Sequence, residues 1–270
     1  MDNRPIGFFD SGLGGLTCIP HLMKALPNER IIYFGDTART PYGSKDPATI
    51  THFSLEIADF LVKNQVKMIV IACNTVSSTC LYTLREKYPD LPVLGIISPA
   101  ARTIARICDP SNIIGIIGTK VTIKSHAYEK KVHSLNDQLE IHAIPCPTFV
   151  PLIEEGIIQN QIMDLSIKYY LDGFISYNKI DTLVLGCTHY PLIRDNISKL
   201  YPHLQIIDPS KEILQSITDS LGENHLLSDA PTFENTFYAS DLSENFVNMI
   251  NKIFENSNLD ISFKIGKIQL

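Results

Sequence analysis

Ile69-Val70-Ile71-Ala72-Cys73-Asn74-Thr75 and, later in the chain, Thr182-Leu183-Val184-Leu185-Gly186-Cys187-Thr188 share one pattern: an apolar run that ends in a cysteine and a polar turn. Runs that are near-continuous in apolar residues, rather than alternating, suit strands buried on both faces of a parallel sheet. Outward from these two, runs of the same kind occur at 6–9, 31–34, 68–72, 93–97, 113–117, 138–144, 183–185 and 205–207. Helical patterns at 49–64, 78–87 and 159–177 lie between them. Strand and helix in alternation predict an α/β protein with mainly parallel sheets. A weak internal repeat sharpens this. Ile6-Gly7-Phe8-Phe9 resembles Ile114-Gly115-Ile116-Ile117, and Gly7 precedes Cys73 by 66 residues where Gly115 precedes Cys187 by 72. Two related halves are expected, each with a cysteine at the carboxyl end of a buried strand. Ligands of open α/β sheets sit outside those ends, so Cys73 and Cys187 are expected across one cleft.

The chain has 270 residues, which suits two modest domains or one large one. Hydrophobic residues make up 44% and charged residues 19%, proportions that exclude disorder, collagen and coiled coil. No apolar run approaches the roughly 18 residues of a membrane-spanning helix. The opening Met1-Asp2-Asn3-Arg4-Pro5 lacks the basic-then-apolar pattern of a signal peptide, so a soluble, cytoplasmic protein is expected. Lys and Arg number 23 against 29 Asp and Glu, a net charge of −6 that gives no general attraction for nucleic acid or anionic membrane. The six cysteines (Cys18, Cys73, Cys80, Cys108, Cys146 and Cys187) are expected as reduced thiols. No C-x-x-C pair supports a zinc site, and no metal is expected. Most reduced cysteines pack as small hydrophobes.

The strand ends carry the candidate chemistry. Asn74 and Thr75 are N-cap residue types, so a helix is expected to begin beside Cys73, with unpaired N–H groups that bind a carboxylate and favour a thiolate. The alternative is a buried cysteine beside an ordinary cap. In Gly186-Cys187-Thr188-His189-Tyr190-Pro191, Thr188 and Pro191 again suit a helix start, and His189 is placed to relay a proton or simply to cap. Asp10-Ser11-Gly12-Leu13-Gly14-Gly15-Leu16-Thr17 resembles a phosphate loop only superficially: Thr17 stands where the last glycine belongs, and Asp10 would repel a phosphate. A carboxylate there suits a substrate ammonium or proton transfer, or the segment is only a glycine-rich turn. The segment Gly35-Asp36-Thr37-Ala38-Arg39-Thr40-Pro41-Tyr42-Gly43 reads as a loop on the same face; its Arg39 is either a carboxylate ligand or a solvated side chain.

Two equivalent cysteines without a metal suit stereoinversion at an activated carbon. One group removes a proton from one face and the other returns one to the opposite face, and a thiol with pKa near 8.5 serves in either form. A cysteine hydrolase would leave one cysteine idle, and a redox pair would show C-x-x-C. A pyridoxal-phosphate enzyme would need a lysine, and none sits at these strand ends.

Together, the segments 7–15, 35–43, 72–75 and 186–191 resemble glutamate racemases of the aspartate/glutamate racemase superfamily, in order and spacing. The resemblance spans essentially the whole chain and is weakest after about Leu221. It implies a cofactor-independent racemase that supplies D-glutamate for bacterial peptidoglycan. Cys73 and Cys187 would be the acid/base catalysts, with Asp10 assisting the first and His189 and Glu154 the second; the adjacent Glu155 is an alternative to Glu154. Asp10, Ser11, Pro41, Tyr42, Gly43, Asn74, Thr75, Thr119, Thr122, Thr188 and His189 match substrate-binding positions. The implied fold is two related three-layer α/β domains, 1–97 plus 207–270 and 98–206, with the active site in the cleft between them. The resemblance also implies a homodimer, glutamate as the small-molecule partner, and no membrane or direct nucleic-acid partner. Alternatives are a racemase for aspartate or another amino acid, or an added role restraining DNA gyrase. The chain begins directly before Gly7, so the regulation by a cell-wall precursor that accompanies a long N-terminal extension is not expected.

Overall fold

The computed structural model describes residues 1–229, 234–257 and 263–270. Its strands are β1 (Ile6–Asp10), β2 (Ile31–Gly35), β3 (Met68–Ile71), β4 (Val93–Gly95), β5 (Ile113–Gly118), β6 (Glu140–Pro145), β7 (Thr182–Gly186), β8 (Gln205–Ile207), β9 (Asn235–Ala239) and β10 (Phe263–Lys267). The helices are α1 (Ile19–Ala25), α2 (Pro47–Lys63), α3 (Asn74–Thr79), α4 (Leu81–Lys87), α5 (Ile97–Ile107), α6 (Lys120–Lys124), α7 (Ala127–His133), α8 (Phe149–Glu154), α9 (Gln161–Asn178), α10 (Arg194–Leu200), α11 (Pro209–Glu223) and α12 (Glu244–Ser257).

Two parallel sheets form, in the orders β10-β9-β2-β1-β3-β4 and β6-β5-β7-β8. The α/β architecture expected from the sequence is therefore present, and so is the repeat. In each sheet the chain leaves the first strand to one side (β2, β6) and returns on the other (β3, β7). The registers match residue for residue: Gly7 lies opposite Ile69, and Gly115 opposite Leu183, each partner four residues before its cysteine. The two glycines also share a reason. A Cβ at Gly7 would stand 3.0 Å from Val66, just before β3, and one at Gly115 would stand 2.9 Å from Ile180, just before β7. Both let the incoming segment lie close on the sheet.

Burial follows from the alternation of side chains along each strand. On β1, Phe8 enters a central core and Phe9 an outer one. The central core joins both sheets: Phe8 and Val70 from one, Ile116 and Val184 from the other, with Ala100 and Ile104 of α5 and Ile213 and Ile217 of α11 between. The outer faces are covered by α2 and α4 on the first sheet and by α8, α9 and α10 on the second.

Local differences from the sequence reading have identifiable causes. The helix expected at 78–87 starts earlier and is broken in two at Cys80 (φ −129°, ψ 11°). Hydroxyls of Ser78 and Thr79 donate back to the Thr75 carbonyl, the kind of local bond that competes with a continuing helix. Asn74 and Thr75 sit inside α3 rather than capping it; the cap position is Cys73. The segment after 207 had no expected elements, yet it forms α11, β9, α12 and β10. β10 reads Phe263-Lys264-Ile265-Gly266-Lys267, an edge strand whose lysines pair with Glu234 and Asp241 at the two ends of β9 and erase the continuous apolar signature.

Candidate active site

The site grows from the strand reversals, where β1 meets β3 and β5 meets β7; crevices open at such points in parallel sheets. Asp10 closes β1 and is fully buried. Its Oδ2 accepts the Gly12 N–H at 3.0 Å, and its Oδ1 accepts the Thr188 hydroxyl at 3.1 Å. One carboxylate thus fastens the turn after β1 to the turn after β7. Gly14 makes that approach possible: a Cβ there would fall 2.4 Å from Thr188 Oγ1 and 2.6 Å from His189 Nδ1.

Cys73 and Cys187 flank this clasp, only 3% and 6% exposed. The Cys73 thiol donates to Ser11 Oγ at 3.5 Å. The Cys187 sulfur lies 3.8 Å from His189 Nδ1, and His189 Nε2 lies 2.6 Å from Glu154 Oε1 at the end of α8. Between the two adjacent glutamates, Glu154 reaches the ring; Glu155 is exposed. Across the seam, Thr75 of α3 bonds Thr119 at 3.0 Å and Thr122 at 3.4 Å, and Thr119 caps α6. Gly43 packs on Thr119, where a Cβ would fall 2.4 Å away. Asp10, Ser11, Gly43, Cys73, Thr75, Thr119, Thr122, Thr188 and His189 are therefore brought together around one junction between the two sheets.

Three residues sit differently from the rest. Tyr42 is buried with its hydroxyl donated to Asp36, which also binds Arg39 at 2.7 Å and Ser240 at 2.7 Å. Arg39 is half-buried; Asp36 and Glu56 hold it over the Phe53 ring through Nε and Nη1, and its Nη2 is buried without a hydrogen-bond partner. Pro41 is exposed and follows a cis peptide bond. Residues that carried no sequence signal also support the site. Tyr128 donates to Asn74 Oδ1 at 2.6 Å, Tyr33 to the Gly12 carbonyl at 2.9 Å, and Asn245 to the Glu154 carbonyl at 2.8 Å. None belongs to a motif: Tyr33 lies in an apolar strand, and Tyr128 and Asn245 lie in helices of mixed composition. Asn74 Nδ2 and Thr40 Oγ1 are buried without a hydrogen-bond partner, and each such group costs free energy until a ligand satisfies it.

Electrostatics differ on the two sides. Burial, reinforced by the charge of Asp10, pushes the Cys73 thiol up to about 12, with Ser11 and the Val76 N–H pulling the other way. Cys73 therefore carries its proton at neutral pH. Burial also raises Asp10 above the usual carboxylate range, against the charge of His189 and the bonds from Gly12, Gly15 and Thr188. Burial alone would lower the His189 pKa, but hydrogen bonds and charges of Cys187 and Glu154 outweigh it and hold the ring well above an ordinary histidine. The arrangement offers a proton-bearing thiol on one side and a cysteine sulfur linked to a proton-holding imidazole on the other.

A pH dependence of stability follows. The folded His189 pKa lies above the unfolded value of 6.5, so its contribution is complete below that value and is lost as pH rises through the raised one. Glu154→Gln removes a charge that raises it. Thermal melts across neutral to alkaline pH should show this loss starting at lower pH in Glu154→Gln than in the parent; coincident curves would contradict the coupling.

Comparison with known proteins gives the family. The Asp/Glu/Hydantoin racemase family matches residues 17–217. Glutamate racemase of Sulfurihydrogenibium sp. (strain YO3AOP1) is 44% identical over 250 residues, 92% of this chain and 93% of that protein. Glutamate racemase of Geobacter metallireducens is 42% identical over 256 residues, 93% of each. The crystal structure of glutamate racemase from Francisella tularensis in complex with D-glutamate superposes with a TM-score of 0.90 at 38% identity, covering 100% of this chain and 98% of that one. With the family matched over most of its length and two cysteines at equivalent strand ends, the chain belongs to the Asp/Glu/Hydantoin racemase family and is an amino-acid racemase, an isomerase.

Proposed function

We propose that the protein interconverts L- and D-glutamate without a cofactor, by a two-base proton transfer between Cys73 and Cys187. The observation that carries this reading is the pair of cysteines at identical register in two repeated sheets, flanking one buried carboxylate and beside two unpartnered polar atoms, Asn74 Nδ2 and Thr40 Oγ1. In this account the substrate's α-carbon lies between the sulfurs. The hydroxyls of Ser11, Thr75, Thr119, Thr122 and Thr188 and the amide of Asn74 hold its carboxylates, and the backbone at Gly43 closes against Thr119. One thiolate removes the α-proton and forms a carbanion; the opposite thiol protonates the other face. The roles reverse for the other enantiomer. On the Cys187 side His189, steadied by Glu154, stores and returns the proton; on the Cys73 side Asp10 does so. The α-proton is weakly acidic, and preorganised donors around the carboxylate stabilise the developing charge. Closing the cleft excludes water from the carbanion. We assign the D-glutamate formed to bacterial peptidoglycan synthesis in the cytoplasm. No helix among the described residues is long and apolar enough to cross a membrane.

Glutamate and aspartate differ by one methylene, a difference worth roughly 10–200-fold in such sites. A panel of amino acids assayed by circular dichroism should give kcat/KM for glutamate at least about tenfold above aspartate. A preference for aspartate would move the substrate assignment while leaving the chemistry in place.

The homodimer is also a proposal, and α9 supports it. Ile162, Leu165, Tyr169 and Tyr177 are 53%, 66%, 82% and 88% exposed and fall on one helical stripe. The stripe is centred near Tyr169, so antiparallel pairing about a two-fold axis would match its ends and bring Lys168 of one copy level with Asp172 of the other. Leu165→Glu/Tyr169→Glu should sediment as a monomer while the parent sediments as a dimer. Unchanged sedimentation would place the interface elsewhere.

A further inference from the structure

A cavity of about 610 Å³ lies on the seam between the halves and adjoins the cleft at Gly43, which belongs to both. Lys45 and Ser44 line it from the segment before α2, and Lys120 and Lys124 from α6. Among the described residues none of these three lysines is paired with a carboxylate. The acid in the lining, Asp46, is committed elsewhere: it caps α2, accepting from the Thr49 N–H at 3.0 Å and the Thr49 hydroxyl at 2.6 Å. On a protein of net charge −6, three lysines against the single carboxylate of Asp46 make the lining of this cavity locally positive. Ammonium groups bind phosphate as point charges, and three of them suit a multiply charged oxyanion better than a single carboxylate.

The pocket is also coupled to the cleft. α6 is five residues long and packs on α3 and on the turn at Tyr42–Ser44. Its lysines face the cavity, while its cap Thr119 and first-turn Thr122 form the hydroxyl cluster with Thr75.

We propose that this cavity binds a phosphate-bearing anion, held by Lys45 from one half and by Lys120 and Lys124 from the other, and that occupancy pins α6 and with it Thr119 and Thr122. The binding part stands on the cavity alone; the kinetic consequence rests on the glutamate racemase reading. An anion bridging the seam favours the closed arrangement, so it tightens substrate binding rather than speeding the chemical step.

The test uses pyrophosphate as the probe, with ionic strength held constant by sodium chloride and malonate as a carboxylate control. Calorimetric titration and thermal melts should show binding and a raised Tm with pyrophosphate. Malonate should give neither. Both effects should be lost in Lys120→Gln/Lys124→Gln, whose substituted side chains are exposed and outside the proposed catalytic groups. In the parent protein KM for D-glutamate should fall severalfold with kcat little changed, and the double variant should keep its basal kcat without that response. Stabilisation no greater than chloride gives, equal stabilisation by malonate, or retention of the effect in the double variant would each overturn the site. Binding with unchanged KM would overturn the coupling. If glutamate proves not to be the substrate, the calorimetric arm still decides whether the anion site exists.

Discussion

Cys73→Ala and Cys187→Ala should each lower kcat for glutamate racemisation in both directions by about 10²–10⁴-fold, the usual loss when a positioned acid or base is removed. Neither should unfold the protein. Both sulfurs sit at strand ends among apolar neighbours, and removing a small buried sulfur from such a place is a modest change. The discriminating readout is solvent exchange at the α-carbon. In a two-base enzyme each enantiomer presents its α-hydrogen to a different cysteine. Each single variant should therefore retain slow α-deuterium exchange on one enantiomer alone, and the two variants should retain it on opposite ones. Exchange of the same enantiomer by both variants, or wild-type racemisation by either, would contradict the assignment. The raised Cys73 pKa adds a directional expectation. The resting enzyme holds a protonated Cys73, so the reaction that begins at Cys187 needs no prior proton movement on the Cys73 side. The two directions should show different alkaline limbs in their kcat profiles, while kcat/KM stays equal in both because the equilibrium constant between enantiomers is one.

Lys67→Met should cost about 3–5 kcal/mol of stability, because it leaves a buried carboxylate without its partner. Lys67 is 1% exposed and Glu29 is 3% exposed, and they pair at 2.5 Å. The Lys67 ammonium also donates to the carbonyls of Asp2 at 2.6 Å and Leu226 at 2.7 Å, and Glu29 accepts the Ser228 N–H at 2.8 Å. This cluster ties the start of β3 to the N-terminal segment and to the chain leaving α11. At roughly 2–4 °C per kcal/mol for a chain of this size, Tm should fall by about 10 °C. Glu29→Gln/Lys67→Met should be less damaging than Lys67→Met, since no uncompensated charge remains. Urea unfolding of the three proteins checks both statements. A single variant that loses less than about 1 kcal/mol, as an exposed pair would, contradicts the burial argument.

The core of the fold was legible because its signals were local. β1, β3, β5 and β7 are short apolar runs buried on both faces, and the recurrence of Gly7 with Cys73 and of Gly115 with Cys187 marked the same register twice. Glycine and cysteine stood out for physical reasons: the first makes room for an incoming segment, and the second ends a strand at a crevice. What was not legible depends on long-range partners. β9 and β10 extend the first sheet from far along the chain, and β10 lies at an edge where lysines replace apolar residues. Tyr128 looks like any tyrosine of an amphipathic helix until Asn74 is placed against it. Arg39 and Tyr42 share a loop that reads as ligand-facing, but Asp36 takes the Tyr42 hydroxyl, and Asp36 and Glu56 take two of the Arg39 nitrogens. Asn74 and Thr75 looked like caps from type alone; tertiary partners draw their side chains elsewhere.

The central claim is proton transfer through two groups on opposite faces of one carbon. Its most direct test is incubation of purified, cofactor-free protein with D-glutamate in D₂O, with circular dichroism and α-deuterium followed together at low conversion. The account predicts loss of optical rotation, deuterium at the α-carbon of the L-glutamate formed, and protium retained in the D-glutamate that remains. Deuterium entering the remaining D-glutamate as fast as the product would show a single base exchanging its proton on one face, and neither exchange nor inversion by folded, reduced protein would contradict the account altogether.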